Sequence, residues 1–187
     1  MRAQEAFEKV LAMKPETLLD IGSGDGCHAA GFRLAGMEVT TVNLNAPADI
    51  VGDFMQIPIF RRYDCVWASH VLEHQVNPGA FLSRCFECLK NDGILAITVP
   101  PAKHEIVGGH VTLWNAGLLL YNLILAGFDC ATARVKAYDY NISVIVEKVK
   151  AELPRLKHDY GDIESLARFF PFPAVHGFNG DIQEINW

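Results

Sequence analysis

The sequence predicts an α/β fold built on a mainly parallel sheet. Three observations predict it. Short apolar runs rich in β-branched residues alternate with segments of helical spacing. A glycine cluster, Gly22-Ser23-Gly24-Asp25-Gly26, falls where the first such run gives way to a helical segment. The 187 residues are 50% hydrophobic and 20% charged, which excludes a disordered chain and suits one domain able to bury its own core.

The elements follow in order. Ala3 to Lys14 has helical spacing and stops before Pro15. TLLDIG is a short apolar run ending at glycines and reads as a buried strand. Cys27 to Ala35 is a helix ended by Gly36. MEVTTVNL is a second, β-branched strand, and ADIVGD a candidate third. Only a few residues separate Leu44 from Ala48, whereas a parallel crossover normally takes a dozen or more. The third strand is therefore expected to be an extended edge segment, with the usual intervening helix missing. YDCVWAS is the fourth strand, followed by HVLEH and a helix from Gly79 to Lys90. Asn91-Asp92-Gly93 reads as a turn before a fifth strand, ILAITVP. Asn115 can cap a helix running to Ala126, with Gly127 as its stop. Phe128 to Val149 reads as two strands around Asp139-Tyr140-Asn141. With no repeat and no linker, residues 1–187 are read as a single domain, its core about 16–148 and its helical and aromatic tail 150–187.

Charge and cysteine usage narrow the setting. A net charge of −6 offers no basic face for phosphates, so no nucleic-acid partner is expected. The odd count of five cysteines points to free thiols and a reducing, cytoplasmic compartment. The first residues mix acids with apolar side chains and contain no signal-peptide core. Val111 to Phe128 is uncharged and approaches the length of a membrane span. Asn115, Asn122 and the flanking glycines make it a buried or interface helix instead, and no membrane partner is expected.

The glycine loop carries the strongest signal. Glycines permit a sharp turn and close approach of a ligand to the backbone, and the following helix presents unpaired N–H groups. A dinucleotide motif would place a small residue where Cys27 stands, and it does not call for an acid before the glycines. Asp20, two residues before Gly22, suits a cation better than a pyrophosphate.

LLDIGSGDG resembles the first motif of class I S-adenosylmethionine-dependent methyltransferases of the small-molecule type. The resemblance continues in order through YDCVWASHVLEH, LKNDGILAITVP and GGHVTLWNAGLLLYNLILAGF, covering about residues 16–148. It implies a Rossmann-like sheet with helices on both faces and a C-terminal antiparallel strand pair supplied by Phe128 to Val149, S-adenosyl-L-methionine as cofactor, and a set of contacts. Asp20 would lie near the methionine portion, with Gly22, Ser23, Gly24 and Gly26 passing beneath the cofactor. Asn43 and Leu44 stand at the end of the second strand, where the family normally has an acid accepting both ribose hydroxyls. Asn43 is a departure: its amide oxygen accepts hydrogen bonds but carries no charge, and charge-assisted bonds are roughly twice as strong. Asn45 is a compensating neighbour. Asp53 and Phe54 match the adenine position, and Ser69 and His70 the stretch beside the methionine moiety.

Methyl transfer from a sulfonium has a neutral leaving group, so the protein's work is alignment and exclusion of water. A hydroxyl acceptor also needs a base. Histidine is the natural one, and His70, His74, His104 and His110 all fall after the fourth and fifth strands, at the edge of the sheet where ligands bind. His110 and His74 are the favoured catalytic residues, Glu73 an orienting or capping acid, and Trp114 a pocket wall or a core residue. No metal site is expected. Cys85-x-x-Cys88 lies within a helix without a second ligand pair, and His70 and His74 do not make an H-E-x-x-H motif. FFPFPAVHGF must be covered by the domain, by a second copy in a homodimer, or by lying over the acceptor site. The expected function is transfer of a methyl group to a small-molecule or glycan-type acceptor at oxygen. The competing expectation, favoured by Asn43 and the missing helix, is a non-catalytic binding or partner-stabilising protein that keeps the fold.

Overall fold

A computed structural model describes residues 2–187. The elements run α1 (Gln4–Met13), β1 (Thr17–Ile21), α2 (Cys27–Leu34), β2 (Glu38–Asn43), β3 (Ile50–Val51), β4 (Tyr63–Ser69), α3 (Pro78–Cys88), β5 (Leu89–Val99), α4 (Ala116–Leu125), β6 (Arg134–Tyr138), β7 (Asn141–Glu147), α5 (Asp162–Leu166) and β8 (Glu184–Ile185). A single 3₁₀ turn, Leu72–His74, follows β4, and a second, Ala167–Phe169, follows α5. The eight strands form one sheet in the order β3-β2-β1-β4-β5-β7-β6-β8. Pairing is parallel from β3 to β5 and antiparallel from β5 to β8.

Side-chain alternation along the central strands builds two cores. On β4, Val66 and Ala68 face a layer containing α3 and α4, while Cys65 and Trp67 face α1 and α2. Trp67 is packed edge-on against Phe32, with Phe7 and His28 around it. Burial of this aromatic set at about 25 cal/mol per Å² of apolar surface is what holds α1 and α2 to the sheet. The strand order reverses between β1 and β4, so the chain leaves these two neighbours in opposite directions and opens a crevice at their carboxyl ends.

The short connection after β2 has the expected consequence. β3 is two residues long, pairs Ile50 with Val42 and Val51 with Asn43, and ends the sheet as an edge. Asn115 caps α4 by accepting from the Leu118 N–H at 2.8 Å, and Gly127 closes it at φ 103°. No helix of the described residues is long and apolar enough to cross a membrane.

Two expectations need correction. Asn91-Asp92-Gly93 is not a turn between helix and strand. α3 ends at Cys88 and β5 already begins at Leu89, which pairs with Tyr63, and the register shifts before Ile94 pairs with Cys65. The positive φ of Asp92, 60°, is spent inside a bulged strand. A Cβ on Gly93 would lie 3.0 Å from the Tyr63 carbonyl oxygen. Both flanks of the tripeptide are captured by β4, so its turn chemistry bends a strand rather than ending one. The second correction concerns the tail, which adds a strand: β8 pairs antiparallel with β6. The tail aromatics pack on the domain itself, with Phe169 and Phe170 buried and Phe172 and Phe178 against the same core.

Candidate active site

The glycine loop turns tightly because its backbone is tied to β2. The Gly22 and Ser23 N–H groups donate to the Val42 carbonyl at 2.8 and 3.2 Å, and the Gly26 N–H donates to the Ser23 carbonyl at 2.8 Å. Gly22 sits at φ 70°, and a side chain there would collide with Val71. Behind the loop, Asp20 is 1% exposed and its Oδ2 has no hydrogen-bond partner among the described residues. Burial pushes its carboxyl up to about 7, with the Arg33 guanidinium pulling weakly the other way. The buried Ser23 hydroxyl is likewise unpartnered. Buried polar groups are nearly always paired, so two such groups beneath one glycine loop mark a place where a polar, positively charged ligand is wanted.

In front of the loop lies a cavity of about 260 Å³. Gly22, Asn43, Leu44, Asp53, Phe54 and His70, all read from sequence as cofactor residues, line it together. The Asn43 Nδ2 group donates to the Asn45 carbonyl at 3.0 Å, which leaves its Oδ1 as the acceptor available to a ligand. Asp53 braces its own turn, accepting from the Met55 N–H at 2.9 Å and from the Gln56 side chain at 2.9 Å. Phe54 is buried, packed edge-on to Phe81 and under the Arg84 guanidinium. Of the remaining residues read as cofactor contacts, Gly24 and Gly26 are in the loop at φ 56° and 77°. Ser69 ends β4 opposite Thr98. Sequence reading missed Val71, Gln75 and Phe81, which also line the cavity. Apolar and amide residues of this kind carry no pattern that distinguishes a cavity wall from ordinary packing.

A second group gathers beside the cavity. His70 adopts φ 57°, and its ring is held between two elements: Nε2 donates to Asn141 Oδ1 at 3.0 Å, and Nδ1 lies 3.2 Å from Glu73 Oε1. The Glu73 side chain is 1% exposed, and neither of its carboxylate oxygens accepts a well-directed hydrogen bond from the described residues. His74 Nδ1 donates to the Gly109 carbonyl at 2.7 Å, and its Nε2 lies 3.9 Å from Glu73 Oε1. The His110 ring stands edge-on to that of His74 with centroids 5.0 Å apart. The loop carrying His110 is fixed there because the Val111 and Thr112 N–H groups donate to the Glu73 main-chain carbonyl at 2.8 and 3.2 Å. So His110 and His74 are neighbours, with Glu73 between His70 and His74.

The other candidates separate from this group. His104 is exposed and lines a different recess with Trp114 and Asp181. Trp114 is 2% exposed, and its indole N–H donates to Thr112 Oγ1 at 2.9 Å, which makes it mainly a core residue. Cys85 and Cys88 are buried on α3, where burial pushes both thiols up. A further cavity of about 170 Å³ adjoins His110 and is walled by Lys103, Val107, Leu113 and Tyr140.

A parallel sheet with a glycine loop after β1 and a cavity at its reversal point, with titratable groups on the rim, defines a doubly wound α/β domain of the ligand-binding class. The profile of the family described as "Methyltransferase domain" matches residues 2–125, and the chain belongs to that family. A curated relative, ubiquinone biosynthesis O-methyltransferase of Rhodopseudomonas palustris (strain HaA2), is 33% identical over 96 residues, 43% of this chain. The match spans only 38% of that relative's length. Among solved structures, the Burkholderia thailandensis 1,6-didemethyltoxoflavin-N1-methyltransferase, with bound 1,6-didemethyltoxoflavin and S-adenosylhomocysteine, superposes at a TM-score of 0.64. It is 20% identical, over 79% of this chain and 80% of that one. A SAM-dependent methyltransferase from Archaeoglobus fulgidus superposes at 0.62 with 16% identity, over 75% and 94% of the two chains. At these identities the structural likenesses establish the shared fold.

Proposed function

We propose that the chain is an S-adenosylmethionine-dependent methyltransferase acting at oxygen on a small-molecule or glycan-type acceptor. One observation carries this reading: residues scattered from Gly22 to His70 meet on one cavity, at the end of the strand that holds the buried Asp20, whose Oδ2 is unpaired. The site suits the cofactor on chemical grounds. An ammonium and a sulfonium supply the positive charge that a buried carboxyl lacks, and Asn43 Oδ1 is free to accept from ribose hydroxyls. Asp53 and Phe54 would hold the adenine, and His70 with Ser69 would flank the methionine end. The bound cofactor supplies a methyl group on a sulfonium whose departing thioether needs no proton.

The chain's own task is then to align the acceptor and exclude water, an effect that can reach about 7–11 kcal/mol. The cavity beside His110 gives a small acceptor apolar walls in Val107 and Leu113 and a cation in Lys103. The Nδ1–H of His74 is committed to Gly109, so Nε2 carries the lone pair that can take a hydroxyl proton, with His110 beside it. A base is needed for a hydroxyl and not for a carboxylate or thiolate, which is why oxygen of an alcohol or phenol is the favoured acceptor atom. The free thiols of Cys27, Cys65, Cys85, Cys88 and Cys130 support a cytoplasmic setting.

Calorimetry with S-adenosylhomocysteine and with NAD tests the cofactor, and a metabolite panel with labelled methyl donor tests the acceptor. Binding of the first ligand alone, followed by label transfer, is the expected result. Preference for NAD would overturn the reading. Tight binding with no transfer to any oxygen nucleophile would favour the non-catalytic alternative, which the replacement of the ribose-binding acid by Asn43 supports.

A further inference from the structure

We propose that Glu73, His74 and His110 bind a divalent transition-metal ion at the wall between the two cavities. His74 lines the larger cavity and His110 the smaller. Donor atoms of the three side chains lie within 4.8 Å of one another.

The surroundings of Glu73 make the case. Asn141 Oδ1 accepts from the Ala3 N–H at 3.3 Å while its Nδ2 donates to the Tyr138 carbonyl at 3.4 Å, so the amide orientation is fixed. His70 Nε2, facing that oxygen at 3.0 Å, must carry a proton. His74 Nδ1, facing the Gly109 carbonyl at 2.7 Å, must carry one too. The other ring nitrogens, His70 Nδ1 and His74 Nε2, both lie near Glu73 Oε1, at 3.2 and 3.9 Å. The Glu73 carboxylate is 1% exposed and accepts no hydrogen bond from the described residues. A buried carboxylate with no well-directed donor, ringed by His70, His74 and His110, is costly unless a cation sits beside it.

The chemistry of the set selects the ion. Two imidazoles and one carboxylate suit zinc and its transition-metal neighbours better than magnesium or calcium, which prefer all-oxygen shells. Three protein ligands leave a coordination position open, the pattern of reactive rather than structural sites. A ring N–H donating to a carbonyl oxygen, as that of His74 does to Gly109, is the usual outer support for a ligand histidine. Spacing in the sequence gave no such site because His110 lies 36 residues from His74 and is brought in by the main-chain bonds at Glu73.

The catalytic consequence rests on the methyltransferase reading; the binding does not. An acceptor hydroxyl in the open position would have its pKa lowered by the metal, and His74 and His110 would then serve as ligands rather than as the base. The test uses the full chain, free of tags and dialysed against chelator, titrated with Co²⁺ and followed by its visible d–d absorption, with Zn²⁺ as competitor. One Co²⁺ per chain, displaced by Zn²⁺, is expected. Glu73→Gln and His110→Ala should each weaken binding by more than the roughly 10–100-fold that loss of an outer-shell partner costs, while His104→Ala should leave it unchanged. His110 is on an exposed loop, so its variant keeps the measurement interpretable if Glu73→Gln does not fold. Equal Co²⁺ binding by the wild type and His110→Ala overturns the proposal. So does an absence of Co²⁺ binding by the wild type. Calorimetry of S-adenosylhomocysteine on the metal-free protein reports separately on the cofactor cavity.

Discussion

His70 Nε2 donates to Asn141 Oδ1 across 3.0 Å, tying the end of β4 to the tip of the β6–β7 hairpin. The bond fixes which ring nitrogen of His70 is presented to Glu73, and it does so from a strand 71 residues away in sequence. Asn141→Leu keeps the branched shape and removes the acceptor. It should cost about 1–3 kcal/mol, the penalty for a buried donor left unpaired, read as a lower midpoint in denaturant. Co²⁺ affinity should fall with it, since the Glu73 carboxylate loses its oriented neighbour.

Gly22 is held at φ 70° with Val71 against its α-carbon. Gly22→Ala should destabilise the chain by about 1–2 kcal/mol or more through left-handed strain and collision. It should also abolish the stabilisation by S-adenosylhomocysteine, which at 100 times its dissociation constant is about 2.7 kcal/mol. Adding Val71→Ala removes the collision but not the strain, so thermal unfolding of the double variant should recover only part of the loss.

Asn43 tests the departure from an acidic ribose contact. Asn43→Leu removes the free Oδ1 acceptor and with it about 0.5–1.5 kcal/mol per lost bond. Calorimetry should show affinity for S-adenosylhomocysteine reduced roughly tenfold. An unchanged affinity would place the ribose elsewhere.

Burial raises the Asp20 carboxyl from 3.8 to about 7. Between these values the folded chain retains a proton that the unfolded chain has released, so stability contributed by this group falls as pH rises from 3.8 to about 7 and is level above that. Asp20→Asn should flatten this part of the pH–stability curve. The ammonium of S-adenosylhomocysteine beside Asp20 would favour the ionised carboxylate, so that ligand should bind more tightly as pH rises to about 7, with release of a proton. Calorimetry in buffers of different ionisation enthalpy measures that release.

Phe170, 4% exposed, stacks near Tyr121 and meets Phe172 and Phe178 edge-on or tilted. Phe170→Ala should therefore cost about 3–5 kcal/mol, as for other large core truncations. Native-state proteolysis should leave the tail of the wild type intact and clip that of the variant.

Local chemistry sufficed for much of this molecule. The run TLLDIG, the glycines after it and the cap at Asn115 set their own backbone geometry, so β1, the loop and α4 were legible from neighbouring residues alone. The brevity of the link between Leu44 and Ala48 foretold an edge strand because chain length limits what a crossover can reach. Tertiary structure decided the rest. Asn91-Asp92-Gly93 has the composition of a turn, yet β4 pairs with both of its flanks and makes it a bulge. β8 is too short to signal itself and exists because β6 offers an open edge. Above all, Glu73, His74 and His110 become one constellation only through main-chain bonds from Val111 and Thr112 to the Glu73 carbonyl, and His70 acquires its tautomer only from Asn141. Spacing along a chain encodes the period of its helices and strands; it carries no record of which distant carbonyl will fix a loop or a proton.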